Sequence, residues 1–176
     1  AAGTNSVVGT DTIKVGAIYR PARVTPLGAP AVLDTPAFLD PNNTGTDRNR
    51  AAVAQSFRDN ANGEVFSVVV NHFKSKGSAC NEAGETSLAG NCDVTRTLAA
   101  TELTDWLATS PTGVADSDWM ILGDLNAYDH EAPIDALEAA GYTDLAGWDV
   151  GEHAYSFTFD GQVGYLDHAL ATSTLA

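Results

Sequence analysis

Four short segments of this chain share one format, an apolar run that stops at polar, ionisable residues. They are Val68-Val69-Val70-Asn71-His72-Phe73-Lys74-Ser75-Lys76, Met120-Ile121-Leu122-Gly123-Asp124-Leu125-Asn126, Val163-Gly164-Tyr165-Leu166-Asp167-His168 and Ile18-Tyr19-Arg20-Pro21. Each polar end alone reads as a cap or a turn. Four together read as a site, because the ends of buried strands converge on one edge of an α/β sheet. Their chemistry is coherent. Asp124 and Asn126 are two residues apart, so an extended backbone turns both to one side. The carboxylate can take a proton or bind a cation while the amide orients phosphate or water. Asp167, with Asp124, is a hard oxygen donor of the kind that Mg²⁺ or Ca²⁺ prefers. His72 and His168 can donate hydrogen bonds or move protons beside an anionic centre. Lys74, Lys76 and Arg20 add positive charge beside a phosphate. The set points to metal-assisted phosphoester hydrolysis.

The elements that must carry these residues can be read in outline. Ile13–Arg20 alternates like a strand that Pro21 ends, and residues 21–46, with five Pro, form a long irregular segment. Residues 47–59 fit either a short helix or an extended passage carrying Arg48 and Arg50. Glu64–Asn71 is a β-branched run, apolar enough for burial on both faces. Asp93 is placed as the N-cap of a helix over Val94–Thr109, whose Leu98, Ala99, Glu102, Leu103, Trp106 and Leu107 fall at helical spacing. Ser117–Gly123 is a third buried strand. Pro133 and Gly141 bracket a helix over Pro133–Ala140. Tyr155–Phe159 and Val163–Ala171 read as a hairpin around Asp160-Gly161. The class is α/β or α+β with a mixed sheet.

Composition sets bounds. The 176 residues are 44% hydrophobic and 18% charged, one domain with a real core and no membrane-spanning run. The net charge of −14 argues against a broad basic surface for nucleic acid. The distribution is more telling. All nine Lys and Arg lie in residues 1–96, balanced by nine acidic residues, whereas residues 97–176 hold fourteen acidic residues and no Lys or Arg. That excess reads as a solvated acidic surface, with some carboxylates free to hold a divalent cation. Cys80 and Cys92 lie near the ends of a loop rich in Gly, Ser and Asn. They suit a disulfide and an oxidising compartment, secreted or periplasmic, with two free thiols as the alternative. The first residues, Ala1-Ala2-Gly3, carry no signal peptide, so one has been removed or the chain is a piece of something longer.

The segments NHFKSKG, ILGDLNAY and GYLDHAL, in this order, resemble the endonuclease/exonuclease/phosphatase superfamily, and above all its extracellular bacterial nucleases. IYRPARVTPLG, NRAAVAQSF and the Cys80–Cys92 loop add to the resemblance, which runs from about residue 13 to 173. It implies a four-layer sandwich of two mixed β-sheets flanked by helices. It implies a secreted nuclease that uses Mg²⁺, with Mn²⁺ or Ca²⁺ as alternatives, on DNA or RNA and at no membrane. By position, His72 matches a contact to the scissile phosphate. Asp124 matches the residue that aligns or deprotonates water. Asn126 matches the phosphate-holding Asn, Asp167 a metal ligand and His168 the catalytic His. More weakly, Asp144 in GYTDL matches the carboxylate that orients that His, and Arg20 matches a phosphate contact. Lys74, Lys76, Arg48 and Arg50 are candidates for contacts with the nucleic-acid backbone.

Family members begin with strands bearing an Asn and a metal-binding Glu, and nothing before Ile13 resembles these. Residues 1–176 are therefore expected to form one partial domain, its C-terminal portion. Its metal site should be weak, and its apolar sheet surface should be covered by the missing N-terminal portion or by self-association. The other readings are a phosphoesterase of the same superfamily acting on a phospholipid or inositol phosphate, and a non-catalytic module that keeps the fold.

Overall fold

The computed structural model describes residues 11–46, 48–83, 89–159 and 161–176. Its frame is a mixed six-stranded sheet in the order β1-β2-β3-β4-β8-β5, built from β1 (Val24–Leu33), β2 (Ala52–Asp59), β3 (Val65–His72), β4 (Trp119–Asp124), β5 (Tyr142–Asp144) and β8 (Asp167–Thr172). A separate hairpin pairs β6 (Phe157–Phe159) with β7 (Gln162–Gly164). Among the described residues the α-helices are α1 (Pro36–Leu39), α2 (Asp93–Leu107), α3 (Ala132–Ala139) and α4 (Leu145–Val150). Among the described residues only β3 and β4 pair in parallel, and α2 lies in the crossover between them. The expected mixed α/β class is what the chain forms. Among the described residues no helix is long and apolar enough to cross a membrane.

The two faces of the sheet differ. Ala52, Ala54, Val69, Ile121 and Leu170 are buried in a core that also holds Leu103 and Leu107 of α2 and Ile134 and Leu137 of α3. Val53, Val68, Val70, Met120, Leu122 and Ala169 point the other way by the period-two rule and are half-buried. β3 is thus fully buried on one face only, not on both.

Several elements depart from the sequence reading. Ile13–Arg20 alternates correctly but forms no strand, and Ile18 is fully exposed. A strand needs an edge, and β1 has taken the free edge of β2. β1 itself lies inside the segment expected to be irregular. Its Pro residues are tolerated because it is the edge strand. A shift in pairing between Leu27 and Ala31 absorbs Gly28, whose φ is 63°. A Cβ at Gly28 would lie 2.3 Å from the Thr112 carbonyl. Residues 52–59 take the extended alternative; Asp47 lies outside the described residues. The expected strand Val163–Ala171 splits in two, because β7 pairs with β6 while β8 pairs with β4 and β5. Asp160 of that hairpin lies outside the described residues.

The N-cap of α2 is Cys92, in the left-handed region with φ 66°, and Asp93 is the first helical residue. The Cys80–Cys92 disulfide forms, with Cα atoms 5.2 Å apart. The open amides are served from the loop instead. Both carboxylate oxygens of Glu82 accept the Thr95 N–H at 3.1 Å, and one also accepts the Asn42 amide at 2.7 Å. In the helical stripe Leu98 faces solvent, while Arg96 is wholly buried. The disulfide closes a separation of 12 residues. Replacing both cysteines by Ser is expected to lower stability by about 3 kcal/mol in the chain-entropy model. Urea unfolding of oxidised protein and double variant checks this, and equal midpoints would show that the loop contributes nothing.

Candidate active site

Three side chains line up across three adjacent strands. His72 of β3 pairs in register with Asp124 of β4, and Asp124 with Asp167 of β8. Directly paired residues share a face, so all three point to the half-buried side of the sheet. His72 Nε2 lies 3.5 Å from Asp124 Oδ2. Gly123 makes this approach possible: its φ is 134°, and a Cβ there would sit 2.0 Å from the Asn71 carbonyl. Asp124 is anchored by its Oδ1, which accepts the Asn126 N–H at 2.9 Å. Burial pushes the Asp124 carboxyl above its ordinary range, and the like charge of Asp167 adds to this. Burial, then the Arg50 guanidinium, pushes the His72 imidazole down, so it is mostly neutral at pH 7.

Arg50 flanks this row on the β2 side. Its backbone N–H donates to the His72 carbonyl at 3.2 Å, and its Nε donates to Asp11 Oδ2 at 2.9 Å. No sequence pattern marks Asp11; the segment that follows it reaches Phe57 of β2, against which Tyr19 packs, and then Asn60. Arg20 consequently sits far from the row. The carbonyls of Pro21 and Arg23 beside it are held by Asn60, in the turn between β2 and β3. Arg20, expected as a phosphate contact, is therefore placed by the turn between β2 and β3 and not beside the row. The strand that was to carry Arg20 to the site edge does not form, and the segment runs the other way.

His168 and Asp144 lie on the opposite face. Consecutive residues of a strand point to opposite sides, so Asp167 faces the row and His168 faces the helices. His168 is enclosed, with side-chain exposure of 0%, and Asp144 has 3%. Their pairing is the one expected: His168 Nδ1 to Asp144 Oδ2 is 2.7 Å. The second ring nitrogen, Nε2, donates to the Ala127 carbonyl at 2.8 Å, a partner that no sequence pattern announced. The Tyr165 ring packs 4.7 Å from the imidazole. Burial acts against the Asp144 carboxylate, but its hydrogen bonds to His168 and to the Ala146 N–H hold its pKa below the usual value. The two histidines thus do not meet at one centre. For Nε2 to reach a phosphate, the Ala127 carbonyl must first be released.

Asn126 is also committed. It adopts a left-handed φ of 50°, is buried, and donates from Nδ2 to the Phe73 carbonyl at 3.0 Å. This bond ties the loop after β4 to the loop after β3. Lys76 pairs with Glu131 at 2.5 Å and donates to the Ala89 carbonyl, so it is not available as the expected substrate contact. Lys74 donates to the Ser78 and Ser75 hydroxyls at 2.8 and 3.4 Å and sits near the row. A buried residue that the sequence reading passed over, Asn49, accepts the Lys74 N–H at 2.8 Å and donates to the Phe38 carbonyl at 2.8 Å. Its one legible signal is its place between Arg48 and Arg50.

Asp124 and Asp167 are of the right type for a hard cation. Among the described residues, no three His, Cys, Asp or Glu side chains converge closely enough to hold a metal ion.

No family model matches the sequence, and no curated protein does. Solved structures match its fold. The human Nocturnin catalytic domain with bound sulfate is similar at 17% identity and a TM-score of 0.57, over 86% of this chain and 49% of that one. An endonuclease/exonuclease/phosphatase family protein from Bacteroides thetaiotaomicron is similar at 14% identity and a TM-score of 0.57, over 88% and 54%. D. rerio TDP2, complexed with a single-strand DNA product, is similar at 17% identity and a TM-score of 0.53, over 88% and 56%. The chain spans about half the length of these solved structures. The fold of this chain, over 86–88% of its length, is thus the one seen in these solved structures, one of which is an endonuclease/exonuclease/phosphatase family protein.

Proposed function

We propose that this chain belongs to a secreted, divalent-metal-dependent phosphodiester hydrolase acting on DNA or RNA. The observation that carries the reading is the row His72–Asp124–Asp167 on one sheet face, with Arg50 beside it. Two carboxylates, a neutral imidazole and a guanidinium can between them take a proton from water and receive a phosphate. Asp124, its carboxyl raised by burial, is the base that prepares water for in-line attack. His72 donates to the phosphate, and Arg50 offsets the charge that develops there. Asn126 positions the Asp124 loop through the Phe73 carbonyl. Asp167 and Asp124 are the ligands that would hold Mg²⁺, with Mn²⁺ or Ca²⁺ accepting the same oxygens. When bound, the ion supplies Lewis-acid polarisation of the phosphate. Asp144 and His168 form the buried pair behind the row. The Cys80–Cys92 disulfide supports the reading of export, because such bonds persist outside the reducing cytosol.

The test is hydrolysis of supercoiled plasmid and of a folded RNA with Mg²⁺, Mn²⁺, Ca²⁺ or EDTA. Cleavage that requires a metal is expected. Cleavage of neither polymer with any of the three ions overturns the reading.

A further inference from the structure

We propose that a recess between α3, α4 and β7 binds a protonated aliphatic diamine or polyamine, at a place separate from the His72–Asp124–Asp167 row.

The recess has a volume of about 630 Å³, and none of the three row residues lines it. Tyr128, Trp148 and Tyr165 form its aromatic walls, and Asp129, Glu138 and Asp144 supply carboxylates. Two glycines open it. A Cβ at Gly164 would lie 2.8 Å from the Tyr128 ring, and a Cβ at Gly147 would lie 3.0 Å from the Tyr165 hydroxyl.

Tyr165 is the residue that points to a ligand. It is 6% exposed, and its hydroxyl oxygen is buried without a hydrogen-bond partner among the described residues. Burial, then the negative charges of Asp144 and Asp129, raise the pKa of the phenol, so both carboxylates lie close to it, yet neither bonds to it with proper geometry. A buried hydroxyl is ordinarily met by a partner.

The surroundings decide what kind of partner fits. Asp144 already accepts from His168 Nδ1 and from the Ala146 N–H. Asp129 has His130, an exposed side chain 3.4 Å away, and Glu138 forms no ion pair among the described residues. The lining residues fall within 128–165, and residues 97–176 contain no Lys or Arg. The Lys76 ammonium lies 5.3 Å from the centre of the Tyr128 ring, but its charge is met by Glu131. The recess thus presents oxygens and aromatic faces. An anion is repelled there, and a neutral ligand leaves the carboxylates unmet. An ammonium group brings N–H donors for the Tyr165 oxygen and for Asp129, and a charge that aromatic faces attract. Glu138 gives a second ammonium a partner, which favours a diamine or a longer polyamine over a monoamine.

The experiment is isothermal titration calorimetry of the whole chain with 1,4-diaminobutane in EDTA. A net charge of −14 attracts any cation weakly, so the controls must separate the recess from the surface. Asp129→Asn and Asp105→Asn remove the same charge, the first in the recess and the second on α2. Asp129→Asn and Tyr165→Phe are each expected to weaken binding by about tenfold, the loss of a hydrogen bond to a charged group. Gly147→Ala is expected to weaken it by crowding the hydroxyl, and it decides the matter if Tyr165→Phe does not fold. Asp105→Asn is expected to keep the wild-type affinity, and tetramethylammonium, which has no N–H, to bind less well than the diamine. No binding by the wild type, an equal loss in Asp105→Asn, wild-type affinity in the recess variants, or tetramethylammonium binding as tightly as the diamine overturns the proposal. Binding in EDTA is independent of turnover, so these outcomes do not depend on the chemistry assigned to the row.

Discussion

Asp124→Asn is expected to lower the rate of phosphodiester hydrolysis by roughly 10²–10⁴-fold, the usual loss on removing a positioned base, with no loss of folding stability. The substitution is nearly isosteric, and the amide oxygen can still accept the Asn126 N–H that Asp124 Oδ1 accepts now. The charge disappears, and with it the ability to take a proton and to hold Mg²⁺. The sign of the stability effect follows from the raised carboxyl pKa. In the window between the unfolded and folded values the native state binds more protons than the unfolded chain. The ionised group therefore costs stability as pH rises through that window, and the cost persists at neutral pH. The amide removes it, so the melting temperature at pH 7 should hold or rise slightly. Initial rates and thermal melts on the same preparations decide the matter. A folded variant with near-normal turnover removes Asp124 from the chemistry.

The strands that carry His72 and Asp124 were legible because each is a β-branched or aliphatic run that stops at a polar residue. Asp167 was named for the same format, yet it opens β8, and the apolar run before it pairs elsewhere. Which face each would occupy was not legible. Asp167 and His168 are neighbours in sequence and opposites in space, and only the pairing of β8 with β4 says which one meets Asp124. Pairing partners decided the other departures too. Ile13–Arg20 has the alternation of a strand and no edge to join, while Val24–Leu33, full of Pro and Gly, becomes a strand because an edge was open. Lys76 read as a free cation, since Glu131 is 55 residues away in sequence. The seat of Lys74 on Asn49 spans 25 residues and is hidden for the same reason. Local pattern declares the strand; nonlocal hydrogen bonds and ion pairs decide which charges remain free for a substrate.

Asp144→Ala is expected to destabilise the protein by about 3–5 kcal/mol, the range for removing one partner of a buried ion pair. The pair is fully enclosed, and the imidazole has no water to fall back on. With Asp144 ionised, both ring nitrogens of His168 are donors, Nδ1 to the carboxylate and Nε2 to the Ala127 carbonyl. Deleting the carboxylate strands Nδ1 without an acceptor. It also deprives the Ala146 N–H of its cap at the start of α4. The pH dependence carries the same signature. The folded pKa of Asp144 is lowered, so its contribution is fully present above the unfolded value, about 3.9, and is lost as pH falls through the folded value. Wild type and variant should therefore converge in stability at strongly acid pH and separate above it. His168→Ala alone should also destabilise, and the double variant should cost clearly less than the two single losses together, because the second change removes the group that the first left stranded. Urea unfolding of the four proteins at neutral and acid pH gives the cycle. Additive losses, or a difference between wild type and Asp144→Ala that does not shrink toward acid pH, would show that the contact contributes no coupling and that His168 is held by packing against Tyr165 and the Ala127 loop.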